Sequence, residues 1–239
     1  MSLILRAATV SDVGRVRTNN EDSAYAGRRL IALADGIGGM PAGELASDIA
    51  IRALTLLEAA PPDIEPLTAL RKAIAAANEQ IRAAGESDEA NDGMGTTATA
   101  LLLAGDHIAL LHVGDSRGYL MRGGELSQLT KDDTFVQSLV DQGVLTAAEA
   151  RSHPRRSVVT QALQGLEFEP TCTLLPVGIG DRFLLCSDGL SDIVADKAIE
   201  QVLRSTPDPR RCAQQLVKLA LDAGGPDNVT VVVADVASA

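Results

Sequence analysis

Aromatic side chains are scarce: the 239 residues hold no Trp, 2 Tyr and 3 Phe. A few large rings therefore cannot fill the core. With 46% hydrophobic residues it must be built from Ala, Leu, Val and Ile, whose small side chains favour close packing of helices on strands. Cysteine is nearly as rare. Cys172, Cys186 and Cys212 are odd in number and lack CxxC spacing, which argues against a disulfide framework or zinc site and suits buried thiols in a reducing compartment. His107, His112 and His153 are scattered, and are assigned to a turn, a sheet and a surface flap rather than to ligation. Long apolar runs are missing too. "MSLILRAATVSD" has three consecutive apolar residues before Arg6, too few for a signal peptide, and no run approaches the ~18 residues of a membrane span. Positive charge is in deficit, 21 Lys and Arg against 32 Asp and Glu for a net −11. A nucleic-acid backbone is repelled at long range, and no Lys/Arg cluster offsets this. The expectation is a soluble, cytoplasmic chain with no nucleic-acid partner and no membrane contact, any anchor of a longer parent lying beyond Ala239.

Periodicity is well represented. Leu45, Ile49, Ala53, Leu56, Leu57 and Ala60 recur at helical spacing, Pro61 and Pro62 interrupt, and Leu67, Leu70, Ile74, Ala77, Ile81 and Ala84 form a second stripe, which predicts an antiparallel helix pair. Cys212, Leu216, Leu219, Ala220 and Ala223 make a third stripe, preceded by a shorter helix around Ala198 to Leu203. Strands read as "LILRAAT", "RLIALA", "TTATALLLA", "HIALLHVG", "GYLMR", "CTLLPV", "RFLLCS" and "NVTVVVADV". Several are apolar on both faces and need covering on both sides. "AGDH" and "RGGE" leave two-residue turns between strands, which only antiparallel neighbours can use. The expected fold is α+β: a four-layer α/β/β/α sandwich, two mostly antiparallel sheets face to face with helix pairs outside. Residues 1–239 are expected to form one domain, with about 132–156 standing outside the layers as a flap.

Carboxylates gather at the strand boundaries. "IALADGIGG" is expected to end a buried strand on Asp35, "LLHVGDS" runs to Asp115, "FLLCSDG" to Asp188, Asp227 precedes the last strand, and Glu21 and Asp22 precede another. One Asp before Gly is an ordinary turn or cap residue. Several at one rim are not, because two carboxylates 4 Å apart repel by roughly 4 kcal/mol at an effective dielectric of ~20. A cation is required, and oxygen donors alone select a hard ion such as Mg²⁺ or Mn²⁺ over Zn²⁺. A backbone turning directly after Asp35 would let the Gly36 carbonyl join as a further ligand.

With "RTNNED" at 17–22, "ADGIGG" at 34–39, "GTT" at 95–97, "GDSRG" at 114–118, "LLCSDGLSD" at 184–192 and "GGPDNVTVVV" at 224–233, the chain resembles the metal-dependent serine/threonine protein phosphatases of type 2C (the PPM family), especially bacterial members that oppose membrane-bound serine/threonine kinases. The resemblance runs from about residue 11 to 236. It implies that Asp35 bridges two ions, Asp188 and Asp227 complete the first, Glu21 and the Gly36 carbonyl serve the second, and Asp22 acts mostly through metal-bound water. Asp115 with Asp188 matches a weaker third position. Arg17 matches the arginine that holds the substrate phosphate. The implied chemistry is hydrolysis of phosphoserine and phosphothreonine in proteins by a water activated between two Mn²⁺ or Mg²⁺ ions. The implied partners are phosphorylated proteins, a kinase among them, and the chain is taken as a monomer. Three positions depart from the pattern. Ile37 stands where animal members carry a His thought to protonate the leaving alcohol, Met40 where some bacterial relatives have a His, and Gln161 where an arginine is usual. The acid role then falls to metal-bound water.

Other chemistries fare less well. "GDSRG" spells the G-x-S-x-G elbow of a serine hydrolase around Ser116, but Gly118 to Met121 lead into a hairpin instead of a helix. A cysteine phosphatase needs an Arg six residues past its Cys, where Gly178, Asp192 and Lys218 stand. "DEANDG" at 88–93 has Ala90 and Thr99 at calcium-loop ligand positions and reads as a connection. A catalytically silent regulatory or binding domain on the same scaffold remains the alternative.

Overall fold

A computed structural model describes residues 2–37, 42–61 and 64–239; Met40 and Pro62 lie outside them. Two sheets form, and all their strand pairs are antiparallel. The first contains β1 (Leu3–Asp12), β7 (Arg117–Arg122), β8 (Glu125–Gln128), β10 (Arg182–Cys186) and β11 (Val229–Ser238), in the order β1-β11-β10-β7-β8. The second contains β2 (Asp22–Ala26), β3 (Leu30–Ile37), β5 (Ala98–Ala104), β6 (His107–Val113) and β9 (Thr171–Pro176), in the order β2-β3-β5-β6-β9, with β4 (Gly95–Thr96) paired to β3.

The alternation of side chains along each strand divides the interior into three apolar layers. Ile31 and Leu33 of β3, Leu101 and Leu103 of β5 and Ile108 and Leu110 of β6 meet Phe183, Leu185, Val232 and Ala234 between the sheets. Their neighbours Leu30, Ala32, Leu102 and Leu111 face outward onto α1 (Ala42–Thr55) and α2 (Pro66–Ser87). On the other sheet, Leu184, Cys186, Val231 and Val233 face α6 (Asp196–Ser205) and α7 (Pro209–Asp222). The four expected layers are present, with Ala and β-branched residues allowing the close approach. Cys186 and Cys212 are buried and Cys172 half-buried, all free thiols. Burial pushes the Cys186 thiol up to about 12. Among the described residues no helix is long and apolar enough to cross a membrane.

Several local expectations need correction. The first helical stripe does not run unbroken to Ala60: α1 ends at Thr55 and the chain tightens into a 3₁₀ turn, Leu56–Ala59. That change of pitch turns Leu57 inward and leaves Leu56 exposed; Leu45 is also at the surface. "TTATALLLA" is interrupted at Thr97, between β4 and β5. Most consequential for the site, β3 does not stop at Asp35 but continues through Gly36 and Ile37, paired with Thr96 and Gly95. Gly36 is thus a residue of close approach instead of a turn. A Cβ there would overlap the Gly43 carbonyl oxygen of α1 and come within 2.7 Å of the Glu21 carbonyl oxygen.

Between β8 and β9 the chain leaves the sheets and carries α3 (Phe135–Asp141) and α4 (Ala147–Arg151). The segment after α4 returns to the sandwich by a bridge of Thr134 with Val159 and another of Thr96 with Leu163.

Candidate metal centre

Each functional side chain is placed by a strand end or the turn beside it. Asp35 is on β3, Asp115 in the β6–β7 turn, Asp227 two residues before β11 and Glu21 immediately before β2. Asp188 opens a four-residue helix, α5 (Asp188–Ser191), that periodicity did not reveal. These five carboxylates, with Arg17 and Gly36, line one cavity of about 430 Å³. Asp22 is the exception. It faces Asp35 directly across the β2–β3 ladder but does not line the cavity: its Oδ2 accepts from Ser187 Oγ at 2.9 Å, and its Oδ1 is buried with no hydrogen-bond partner.

Backbone contacts fix the geometry. Asp35 N donates to Thr97 Oγ1 at 2.9 Å, while its carbonyl accepts from Thr97 N and from Thr96 Oγ1, each at 2.9 Å. Those bonds explain the strand break at Thr97. Ser116 is fully buried and shares a hydrogen bond of 2.9 Å with Thr97 Oγ1. Asn228 ties the Arg17 loop to β11: its Oδ1 accepts from Glu21 N at 2.8 Å, and its Nδ2 donates to the carbonyls of Val13 (2.9 Å) and Asn19 (2.8 Å). Arg17 Nη2 donates to Asp227 Oδ2 at 2.7 Å.

The electrostatics are those of crowded anions. Burial holds Asp35 well above the usual carboxylate range, and Asp22, Asp188, Asp115 and Asp227 add to the shift. Asp188 is raised likewise, by burial and then by Asp115 and Asp192. Asp115 is pushed up to about 7 by burial, Asp132 and Asp192. Asp22 rises to about 6, chiefly through burial. Such an array is stable only with protons or cations supplied. All the donors lining the cavity from these carboxylates are oxygen, and the set fits a hard divalent ion. Among the described residues no three Asp, Glu, His or Cys side chains already stand at the spacing of a single ion's shell; Asp227 bonds Arg17 and Asp22 bonds Ser187.

The opposite wall escaped sequence reasoning. Ser157, Thr160, Gln161 and Gln164 line the cavity together with Thr97 and Asn228. Polar residues in a loop carry no periodicity, and only the departure at Gln161 marked any of them. Its Oε1 accepts from Glu169 N at 3.1 Å. Ile37 lines the cavity, whereas none of the three histidines does. His107 bonds Asp106 beside its turn, buried His112 sits on β6 between Thr99 and the Lys131 carbonyl, and His153 lies against Phe135.

The family model for protein phosphatase 2C matches residues 15–220. The chain belongs to the protein phosphatase 2C family. Among its members, the serine/threonine protein phosphatase PstP of Mycobacterium tuberculosis is 56% identical over 236 residues, covering 99% of this chain and 46% of PstP. The chain therefore spans about half the length of that curated relative. The serine/threonine phosphatase stp of Listeria welshimeri is 36% identical over 240 residues, 94% of this chain and 93% of that protein. A crystal structure of the PstP catalytic domain in complex with two manganese ions superposes with a TM-score of 0.94 at 53% identity, covering 99% of this chain and all of that one. The α/β/β/α layers of this chain are thus the family's fold.

Proposed function

We propose that the chain is a metal-dependent protein serine/threonine phosphatase: one catalytic domain over 1–239, with 132–156 as a flap, acting as a monomer on phosphorylated proteins that include a serine/threonine kinase. The observation that carries this reading is the convergence of Glu21, Asp35, Asp115, Asp188 and Asp227 with Arg17 in one cavity. Glu21, Asp35, the Gly36 carbonyl, Asp188 and Asp227 would hold two Mn²⁺ or Mg²⁺ ions, and Asp115 with Asp188 a third. Bound there, the ions supply positive charge for the phosphate oxygens and a water acidified toward neutral pH.

The chain's own residues orient and exclude. Arg17 is half-exposed and pairs with Asp227 through one nitrogen, leaving other N–H groups of its planar guanidinium for phosphate oxygens at the cavity mouth. Asp227 thereby holds the guanidinium over the cavity. The backbone bonds of Asp35 to Thr96 and Thr97 leave its carboxylate oxygens free for ligation. Ile37 offers no proton and His153 lies outside the cavity wall, so no imidazole is placed to protonate the leaving alcohol. Turnover is expected to lack a histidine-like limb in its pH profile, and loss of activity in His153→Ala would contradict that.

The direct test is release of inorganic phosphate from a phosphothreonine peptide with Mn²⁺ and with excess chelator. Turnover that needs the ion supports the reading. Persistence in chelator, or absence under both conditions, overturns it, and absence favours a silent binding domain.

A further inference from the structure

The chain is acidic overall, yet 151–161 ("RSHPRRSVVTQ") holds three arginines and no Asp or Glu. Its far end is the cavity wall: Ser157, Val159, Thr160 and Gln161 all line the site. The stretch is pinned at its base, where Phe135 N donates to the Val158 carbonyl at 2.8 Å and Thr160 N to the Asp133 carbonyl at 2.7 Å.

The three arginines have different surroundings. Arg151 pairs with Asp196 and Arg156 with Asp192, each at 3.4 Å, so both tie the segment to the sandwich. Arg155 is exposed and has no carboxylate partner among the described residues. It is nevertheless held in place: its guanidinium carbon lies 3.9 Å from the centre of the Phe135 ring, and its backbone N donates to His153 Nδ1 at 3.1 Å. A guanidinium stacked on a ring keeps its N–H edge available for a carboxylate. Arg155 lies two positions before Ser157, a backbone span of about 7 Å at most, so its main chain runs beside the residues that line the phosphate-ester cavity.

We propose that Arg155 is a specificity-determining residue, selecting phosphopeptides with an acidic side chain close to the phosphorylated residue. The proposal rests on the phosphatase reading above and adds the substrate class to it. An extended peptide rises about 3.3 Å per residue, which puts the favoured acidic residue about two to four positions from the phosphorylated one. The cavity wall on this side is neutral, formed by Ser157, Thr160 and Gln161, and the one charge between it and Arg155, Arg156, is paired with Asp192.

The test uses Mn²⁺-loaded protein and a set of phosphothreonine peptides that differ only in Glu, Gln or Lys at each flanking position. The expected result is kcat/KM about 2- to 5-fold higher for a Glu peptide than for its Gln counterpart, the range of one exposed ion pair, with the advantage fading as ionic strength is raised. Arg155→Lys should retain part of the preference, Arg155→Gln should lose it, and Arg155→Glu should favour the Lys peptide. Turnover of a small aryl phosphate should stay unchanged in all three, with melting temperatures matching the parent. Equal turnover of Glu and Gln peptides by the parent chain at low salt overturns the proposal, as does an acidic preference that survives in Arg155→Glu. If no peptide is turned over with Mn²⁺ present, the phosphatase reading itself fails, and this proposal with it.

Discussion

Asp35 is positioned through its main chain, by Thr97 on its N–H and by Thr96 and Thr97 on its carbonyl, while its side chain is raised in pKa by burial and by its acidic neighbours. An Asn there keeps every backbone bond and removes one charge. Asp35→Asn is therefore expected to abolish Mn²⁺-dependent phosphate release and at the same time to raise the melting temperature measured in chelator, because one member of a repelling group is neutralised. A variant that melts lower in chelator would contradict the electrostatic account. Ser116 gives the converse case. It is fully buried, shares its hydroxyl with Thr97 Oγ1 and is followed by β7 instead of a helix. Ser116→Ala should leave phosphate release within about tenfold of the parent, as for loss of a supporting hydrogen bond. Loss to background would revive the serine-hydrolase reading.

At the level of elements, the site depends on how closely β3 approaches α1. Gly36 packs against the Gly43 carbonyl, and its N–H donates to the Glu21 carbonyl at 3.1 Å, so one contact sets the spacing of β3, α1 and the loop that carries Glu21. Gly36→Ala is expected to destabilise the chain by about 1–3 kcal/mol, the usual range for overpacking, read from the denaturant midpoint. Gly178→Ala, where a Cβ meets nothing within 4 Å, should leave the midpoint unmoved. The layers themselves were legible in the sequence, because two-residue turns and strands apolar on both faces leave few alternatives. The carboxylates at strand boundaries were legible for a related reason, since a charged residue beside a buried run stands out. What could not be read was decided across the chain by hydrogen bonds: the break at Thr97, the extension of β3 past Asp35, the helix opened by Asp188, and the bond from Ser187 to Asp22. The wall from Ser157 to Gln164 was invisible because a polar loop has no pattern until the strands it bridges are known.

Across the whole molecule, the acidic site should govern how stability depends on pH when divalent ions are stripped. Asp22 is raised to about 6, Asp115 to about 7, and Asp35 and Asp188 also stand above their ordinary values, burial being the leading cause in each case. In the unfolded chain these carboxyls return to about 4. Between those limits the folded state binds more protons than the unfolded one, so the stability they contribute is fully present below about pH 4 and is lost as pH rises through about 6 to 7. His112 works in the opposite sense: burial lowers its pKa, so the unfolded chain takes up the extra proton and its contribution falls as pH drops below about 6.5. Four carboxyls outweigh one imidazole. The melting temperature in chelator is therefore expected to fall as pH is raised from about 5 to about 8, and the fall should disappear with saturating Mn²⁺, which binds the ionised carboxylates and draws the equilibrium toward the folded state. A melting temperature in chelator that is flat or rises over that range would mean the carboxylates of Asp35, Asp115 and Asp188 do not repel one another as their common cavity requires.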